Sequence, residues 1–159
     1  MTAWRMRMAA DAKEYLPMPA RILLIEDDPA SMELMAYQLR ACGFDTFYAH
    51  DETEGLELAG LDRPDLIVCD VHLPHLDGYA LARRLSMDPA LQDIPVIAMT
   101  AVVPDDEERL KVAGFDGYVC QATDPDAFIA SIQHFLPREK QGKHRYQQQR
   151  SEDGNDPDR

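Results

Sequence analysis

The chain has 159 residues, 45% of them hydrophobic, and a formal net charge of −13 at pH 7, enough for one domain with a buried core. No apolar run approaches the roughly 20 residues of a bilayer span, and the basic start "MTAWRMRMAADAKEYLPMP" lacks the apolar stretch of a signal peptide, so no membrane insertion and a cytoplasmic location are expected. Residues 21–136 hold 7 Lys and Arg against 22 Asp and Glu, a charge of −15, which argues against direct nucleic-acid binding and suits a metal cation or a basic protein surface.

Residues 1–20, with two prolines and four methionines and no clear period, read as an arm. "RILLI" (21–25) is a continuous apolar run of strand length. "DDPASMELMAYQLRACG" follows as a helix with Met32, Met35, Ala36 and Leu39 on one face, Asp28 as N-cap, Pro29 at N1 and Gly43 at C′. "FDTFYA" (44–49) alternates like a strand, and "DETEGLELAG" (51–60) is a short helix with Leu56 and Ala59 inward. "DLIVC" (65–69) is a second continuous apolar run. "DGYALARRLSMD" (77–88) is a helix whose Arg83 and Arg84 read as a solvated face. "IPVIAM" (94–99) is a fourth strand. "PDDEERLKVAG" (104–114) is a helix with Pro at its start and Gly at its end. "GYVC" (117–120) is a fifth strand and "DPDAFIASIQHFL" (124–136) a fifth helix. Residues 137–159 are polar, first basic and then acidic, and read as a disordered tail.

Continuous apolar strands mean a sheet buried on both faces, hence parallel. Five strand–helix repeats with right-handed crossovers then give an α/β, doubly wound five-stranded parallel sheet, (βα)5. The three cysteines, Cys42, Cys69 and Cys120, have neither C-x-x-C spacing nor a zinc-spaced His, and suggest core thiols in a reducing compartment.

Ligands of such sheets bind beyond the carboxyl ends of the strands. There stand Glu26, Asp27 and Asp28 after the first strand, Asp70 after the third, Thr100 after the fourth and Gln121 after the fifth. Glu26 or Asp27 with Asp70 makes a carboxylate cluster that repels itself unless a cation joins it, and oxygen ligands completed by water suit Mg²⁺. One carboxylate of the cluster is also a candidate nucleophile toward phosphorus, with the Thr100 hydroxyl as a donor to a phosphoryl oxygen. Asp28, just before Pro29, is better read as a helix cap than as a secondary acid.

The segments "ILLIEDDP", "PDLIVCDVHLPHLDGYALARRL", "IPVIAMTA" and "AGFDGYV", in this order and spacing, resemble the response-regulator receiver domains of two-component signalling, of the stand-alone CheY-like type, across roughly residues 21–136. The resemblance implies the flavodoxin-like fold with strand order 2-1-3-4-5. It implies Asp70 as phospho-acceptor, Mg²⁺ held by Glu26, Asp27, Asp70 and the backbone carbonyl of His72, and Thr100 and Tyr118 as a coupled switch. It further implies a histidine kinase or phosphotransfer protein as donor, a downstream protein target, and a possible homodimer through the fourth helix, fifth strand and fifth helix. Any catalysis would be limited to slow self-phosphorylation and self-dephosphorylation.

The family's Lys-Pro is replaced here by Gln121-Ala122. Gln offers a neutral donor where Lys offers a charge. Without Pro, a trans peptide and a shifted loop are expected, since a non-proline cis bond costs on the order of 3 kcal/mol. Loss of the cation should raise carboxylate pKa values in the cluster. His72 and His75 follow Asp70 in its loop. A protonated His72 facing the acids is one way to replace the missing charge; an exposed loop histidine without a role is the plainer reading. These departures keep open a phosphorylation-independent pseudo-receiver that acts as a binding module. An enzyme on the same fold fits less well. A dehalogenase-type phosphatase needs an Asp where His72 stands, and a flavodoxin needs a Ser/Thr-rich loop where acids follow the first strand.

Overall fold

The computed structural model describes residues 19–71, 77–101, 104–120 and 124–137. Strands β1 (Arg21–Ile25), β2 (Asp45–Ala49), β3 (Leu66–Asp70), β4 (Val96–Thr100) and β5 (Gly117–Cys120) alternate with helices α1 (Pro29–Ala41), α2 (Glu52–Asp62), α3 (Gly78–Met87), α4 (Glu107–Ala113) and α5 (Pro125–His134). The strands are all parallel, in the order β2-β1-β3-β4-β5. This is the CheY-like flavodoxin arrangement that the resemblance implies.

Alternate residues along each strand enter two separate cores, because successive side chains point to opposite faces. Leu23, Ile25, Ile67, Cys69, Val96 and Ala98 pack with residues of α2, α3 and α4. Ile22, Leu24, Leu66, Val68, Ile97 and Met99 pack with residues of α1 and α5. The continuous apolar strands are thus covered on both sides. α1 buries Met32, Met35, Ala36 and Leu39, the face expected of it, and Gly43 stands just past its end with φ 90°. In α2 the inward residues are Ala59 and Gly55, while Leu56 is only half-buried against the same core.

Each of the five helices has an Asp at its N-cap: Asp28, Asp51, Asp77, Asp106 and Asp124, every one accepting a backbone N–H. Two more acids close the amino ends of strands, Asp65 Oδ2 accepting from Arg21 N at 2.8 Å and Asp116 Oδ2 from Val96 N at 2.8 Å. Much of the acidic charge therefore satisfies orphan amides rather than attracting a partner.

Several boundaries differ from the sequence expectation, most of them by one or two residues. α4 begins at Glu107, three residues after Pro104, because the Asp106 side chain caps Arg109 N at 3.2 Å and starts the helix there. Asp70 and Thr100 are the last residues of β3 and β4 rather than the first beyond them, since parallel pairing continues through Asp70 opposite Met99 and Thr100 opposite Cys120. Arg84 remains exposed but reaches Glu52 of α2 at 3.2 Å. Among the described residues no helix is long and apolar enough to cross a membrane.

Candidate functional site

β1 and β3 are neighbours, with Ile25 opposite Cys69, so Glu26 and Asp70 come together one step further on. The ladder extends past both strands. Glu26 N donates to Ala49 O at 3.1 Å, and Val71 N donates to Met99 O at 3.3 Å. Backbone pairing on both sides therefore holds the chain that carries each acid.

Glu26 is buried, at 2% exposure, an unusual state for a carboxylate. Its Oε1 accepts from Asp28 N at 3.1 Å. Its Oε2 is buried without a hydrogen-bond partner, a condition shared among the described residues only by Thr46 Oγ1. Burial pushes the Glu26 carboxyl up to about 7, the Asp28 amide opposes that rise, and the nearby Asp70 and Asp27 carboxylates add to it. At Glu26 the leading cause is desolvation rather than the neighbouring charge; the effect expected of the missing Lys belongs to Gln121, outside the described residues. Where Glu26 and Asp70 approach, both side chains are acceptors when ionised. They attract only if one holds a proton or a cation lies between them.

Asp27 and Asp70 are half-exposed. Asp28 is the α1 N-cap: its Oδ2 accepts from Ser31 N at 2.9 Å and from the Ser31 hydroxyl at 2.6 Å. Those bonds hold its carboxyl below the usual range. Cys69, fully buried beside Asp70, donates its thiol to Asp70 O at 3.3 Å. Burial, then the surrounding carboxylates, push that thiol up, so it stays protonated. Thr100 is buried at the end of β4. Tyr118 lies on β5, opposite Ala98 of β4, with its ring packed against the α2–α4 core. Its hydroxyl points outward and donates to Glu107 Oε1 of α4 at 3.2 Å. His72, His75, Gln121 and Ala122, with the peptide that joins the last two, lie outside the described residues.

Gly78 is a contributor that sequence reasoning passed over. A Cβ there would stand 2.8 Å from Asp70 O and 2.9 Å from Val71 Cα. Only glycine lets the first turn of α3 lie directly on the carboxyl end of β3. The available signal was the Asp77-Gly78 pair at a helix start, which reads equally as a cap and turn.

The oxygen set fits a hard divalent cation. A buried carboxylate oxygen without a donor sits next to a half-exposed carboxylate. Among the described residues no three His, Cys, Asp or Glu side chains gather into a site of their own. The Glu26–Asp70 pair supplies the one or two carboxylates that Mg²⁺ takes, with water to complete its shell.

The sequence matches the family described as Response regulator receiver domain over residues 22–133. It is 35% identical over 120 residues to the polar-differentiation response regulator DivK of Brucella anthropi, covering 75% of this chain and 98% of that protein. The DivK of Brucella ovis is 33% identical over the same length. Among solved structures, a response regulator from Chloroflexus aurantiacus aligns with a TM-score of 0.71 and 27% identity, covering 76% of this chain and 99% of the other. The receiver domain of a sensor histidine kinase from Pseudomonas aeruginosa, with magnesium coordinated in its active-site cleft, aligns with a TM-score of 0.67 and 28% identity, over 74% of this chain and 97% of that one. The doubly wound sheet, the acids at the ends of β1 and β3 and these matches lead to one conclusion: the chain belongs to the response regulator receiver family of two-component signalling.

Proposed function

We propose that this receiver is a phosphorylation switch in which Asp70 accepts a phosphoryl group from a histidine kinase or phosphotransfer protein and the altered domain then binds a protein target. The observation that carries the reading is the pairing of half-exposed Asp70 with buried Glu26, whose Oε2 has no donor. With both acids ionised, a resting protein gains nothing from such a pair. A site that gathers a cation and a phosphoryl group does.

In the proposed transfer an Asp70 carboxylate oxygen attacks phosphorus, the P–N bond of the donor phosphohistidine breaks, and its electron pair returns to the imidazole nitrogen, which takes up a proton. Glu26, Asp27, Asp70 and the His72 carbonyl would hold Mg²⁺, which when bound neutralises charge on the phosphoryl oxygens. Thr100 would donate its hydroxyl to a phosphoryl oxygen, and Tyr118 would turn inward from Glu107. The output surface would be the face of α4, β5 and α5, for a target or a second copy. Its cleft of about 220 Å³ is lined by Leu110, Lys111, Phe115, Tyr118 and Phe135 among others, and so offers both apolar and charged contacts. The receiver would occupy residues 21–136, with residues 1–20 as an arm and 137–159 as a tail.

Incubation of the full chain with Mg²⁺ and acetyl phosphate, read by intact mass, tests this. Wild type should gain one phosphate and Asp70→Asn none. A wild type that takes up no phosphate and shows no structural response to beryllofluoride sinks the switch and leaves the pseudo-receiver. Gln121-Ala122 is the feature that favours that second reading, because a neutral amide replaces the charge expected beside the phosphoryl group.

A further inference from the structure

Helix α4 has only seven residues and buries just Leu110 and Ala113, too little helix to hold itself in water. Its first turn is kept in place by its neighbours. Glu107 and Arg109 are two positions apart, which turns their side chains roughly 200° from one another about the axis and places them on opposite flanks. On one flank Glu107 accepts from Tyr118 of β5. On the other the guanidinium carbon of Arg109 lies 4.5 Å from the centroid of the Tyr79 ring of α3, well inside cation–π range.

Tyr79 is a firm anchor. It sits in the first turn of α3, where its own N–H is capped by Asp77 Oδ1 at 3.0 Å. Its ring packs against the core and meets the buried Phe115 edge-on, with centroids 6.1 Å apart. Phe115 lies between α4 and β5. One tyrosine of α3 thus touches both the α4 side chain and the residue leading into the switch strand. The contact crosses a cleft of about 460 Å³ between α3 and α4, whose other walls include Arg83, Asp106, Glu108 and Val112. Ala80, Val112 and Ala113 supply its other apolar walls, and the Arg109–Tyr79 contact spans it.

We propose that Arg109 on Tyr79 is a second restraint on α4, holding its first turn to α3 in the resting protein while Glu107 and Tyr118 hold the opposite flank. The consequence rests on the proposed switch. Once Tyr118 leaves Glu107, Arg109 still opposes movement of the first turn of α4, so the contact helps set how much activating ligand the switch needs. Arg109 and Tyr79 are positioning residues that touch no phosphoryl group.

Hydrogen exchange on the full chain without phosphodonor tests the restraint. Arg109→Gln and Tyr79→Leu should exchange about two- to fivefold faster over residues 107–120, the factor that an exposed cation–π contact is worth. Strand β1 should be unchanged in both. Tyr79→Phe keeps the ring and should match wild type. Arg109→Gln decides the matter, since it leaves the Tyr79–Phe115 contact whole. With Mg²⁺ and rising beryllofluoride, Arg109→Gln should reach its half-response at about two- to fivefold lower concentration. Exchange equal to wild type in Arg109→Gln, or Tyr79→Phe as fast as Tyr79→Leu, overturns the restraint. Faster exchange with an unchanged half-response overturns its regulatory consequence. A wild type silent to beryllofluoride defeats the switch itself, while the exchange comparison still decides whether Arg109 holds α4.

Discussion

Tyr118 donates its hydroxyl to Glu107 Oε1 across 3.2 Å, and this bond ties the aromatic of β5 to the first residue of α4. The negative charge of Glu107 is the main reason the Tyr118 hydroxyl is held above its ordinary range, with desolvation second. Replacing Glu107 by Gln should bring Tyr118 back toward ordinary tyrosine behaviour. The difference between the ultraviolet titrations of Tyr118-containing and Tyr118→Phe proteins isolates this tyrosine from the other five. If the Glu107→Gln titration matches wild type, the bond is not formed in solution.

Glu26 makes stability depend on pH in a defined window. Its folded value of about 7 lies above the reference 4.5, so the native state holds more protons than the unfolded chain between those values. Stability should be greatest below about 4.5 as far as this group is concerned, fall as pH rises through about 7, and level off above it. The full effect is on the order of 3 kcal/mol. Glu26→Gln, measured by urea denaturation in EDTA, should lose this slope and be the more stable protein at pH 8. The same variant should bind Mg²⁺ less tightly.

Asp28 and Asp27 are adjacent and should separate cleanly. Asp28 caps α1 through Ser31, so Asp28→Ala should lower the melting temperature by a few degrees at neutral pH. Because its carboxyl is held below the usual range, its contribution is present above that range and disappears as pH falls through the folded value. Asp28→Ala should retain phosphate uptake, whereas Asp27→Asn should keep the melting temperature and lose Mg²⁺-dependent uptake. Thermal melts and intact mass on the two variants check both halves.

Two glycines should respond with opposite signs. Gly78→Ala drives a methyl group into Asp70 O and Val71 Cα, backbone atoms that cannot move alone, and should cost about 1–3 kcal/mol and slow phosphate uptake. Gly60→Ala adds a methyl group with nothing within 4 Å, on an exposed position of α2. It should stabilise by up to about 1 kcal/mol through helix propensity. Denaturant midpoints decide the signs.

Gln121→Lys restores a cation where the family carries one. If the neutral amide weakens the switch, the Lys variant should show a larger beryllofluoride-induced change than wild type at equal Mg²⁺. An equal change would mean that Gln121 or a nearby group already suffices.

Much of the architecture was legible in the linear pattern. Period, caps and breakers are local properties, so the strand–helix alternation, the Met32–Leu39 face of α1 and the Asp28-Pro29 cap could be read without coordinates. The acids at strand ends were legible too, because a parallel sheet must bring the carboxyl ends of its strands to one edge.

What those acids experience was decided in three dimensions. Glu26 is buried with Oε2 undonated because the β1–β3 register and the return of the chain through Asp28 enclose it, and no local pattern encodes that enclosure. Gly78 matters only because α3 lands on Asp70 O. The two grips on α4 join residues 11 and 30 positions apart, Tyr118 with Glu107 and Arg109 with Tyr79. Sequence by itself determined the elements and the chemistry at their ends. Tertiary packing alone decided desolvation and long-range contact, since both depend on distances that the chain's order does not carry.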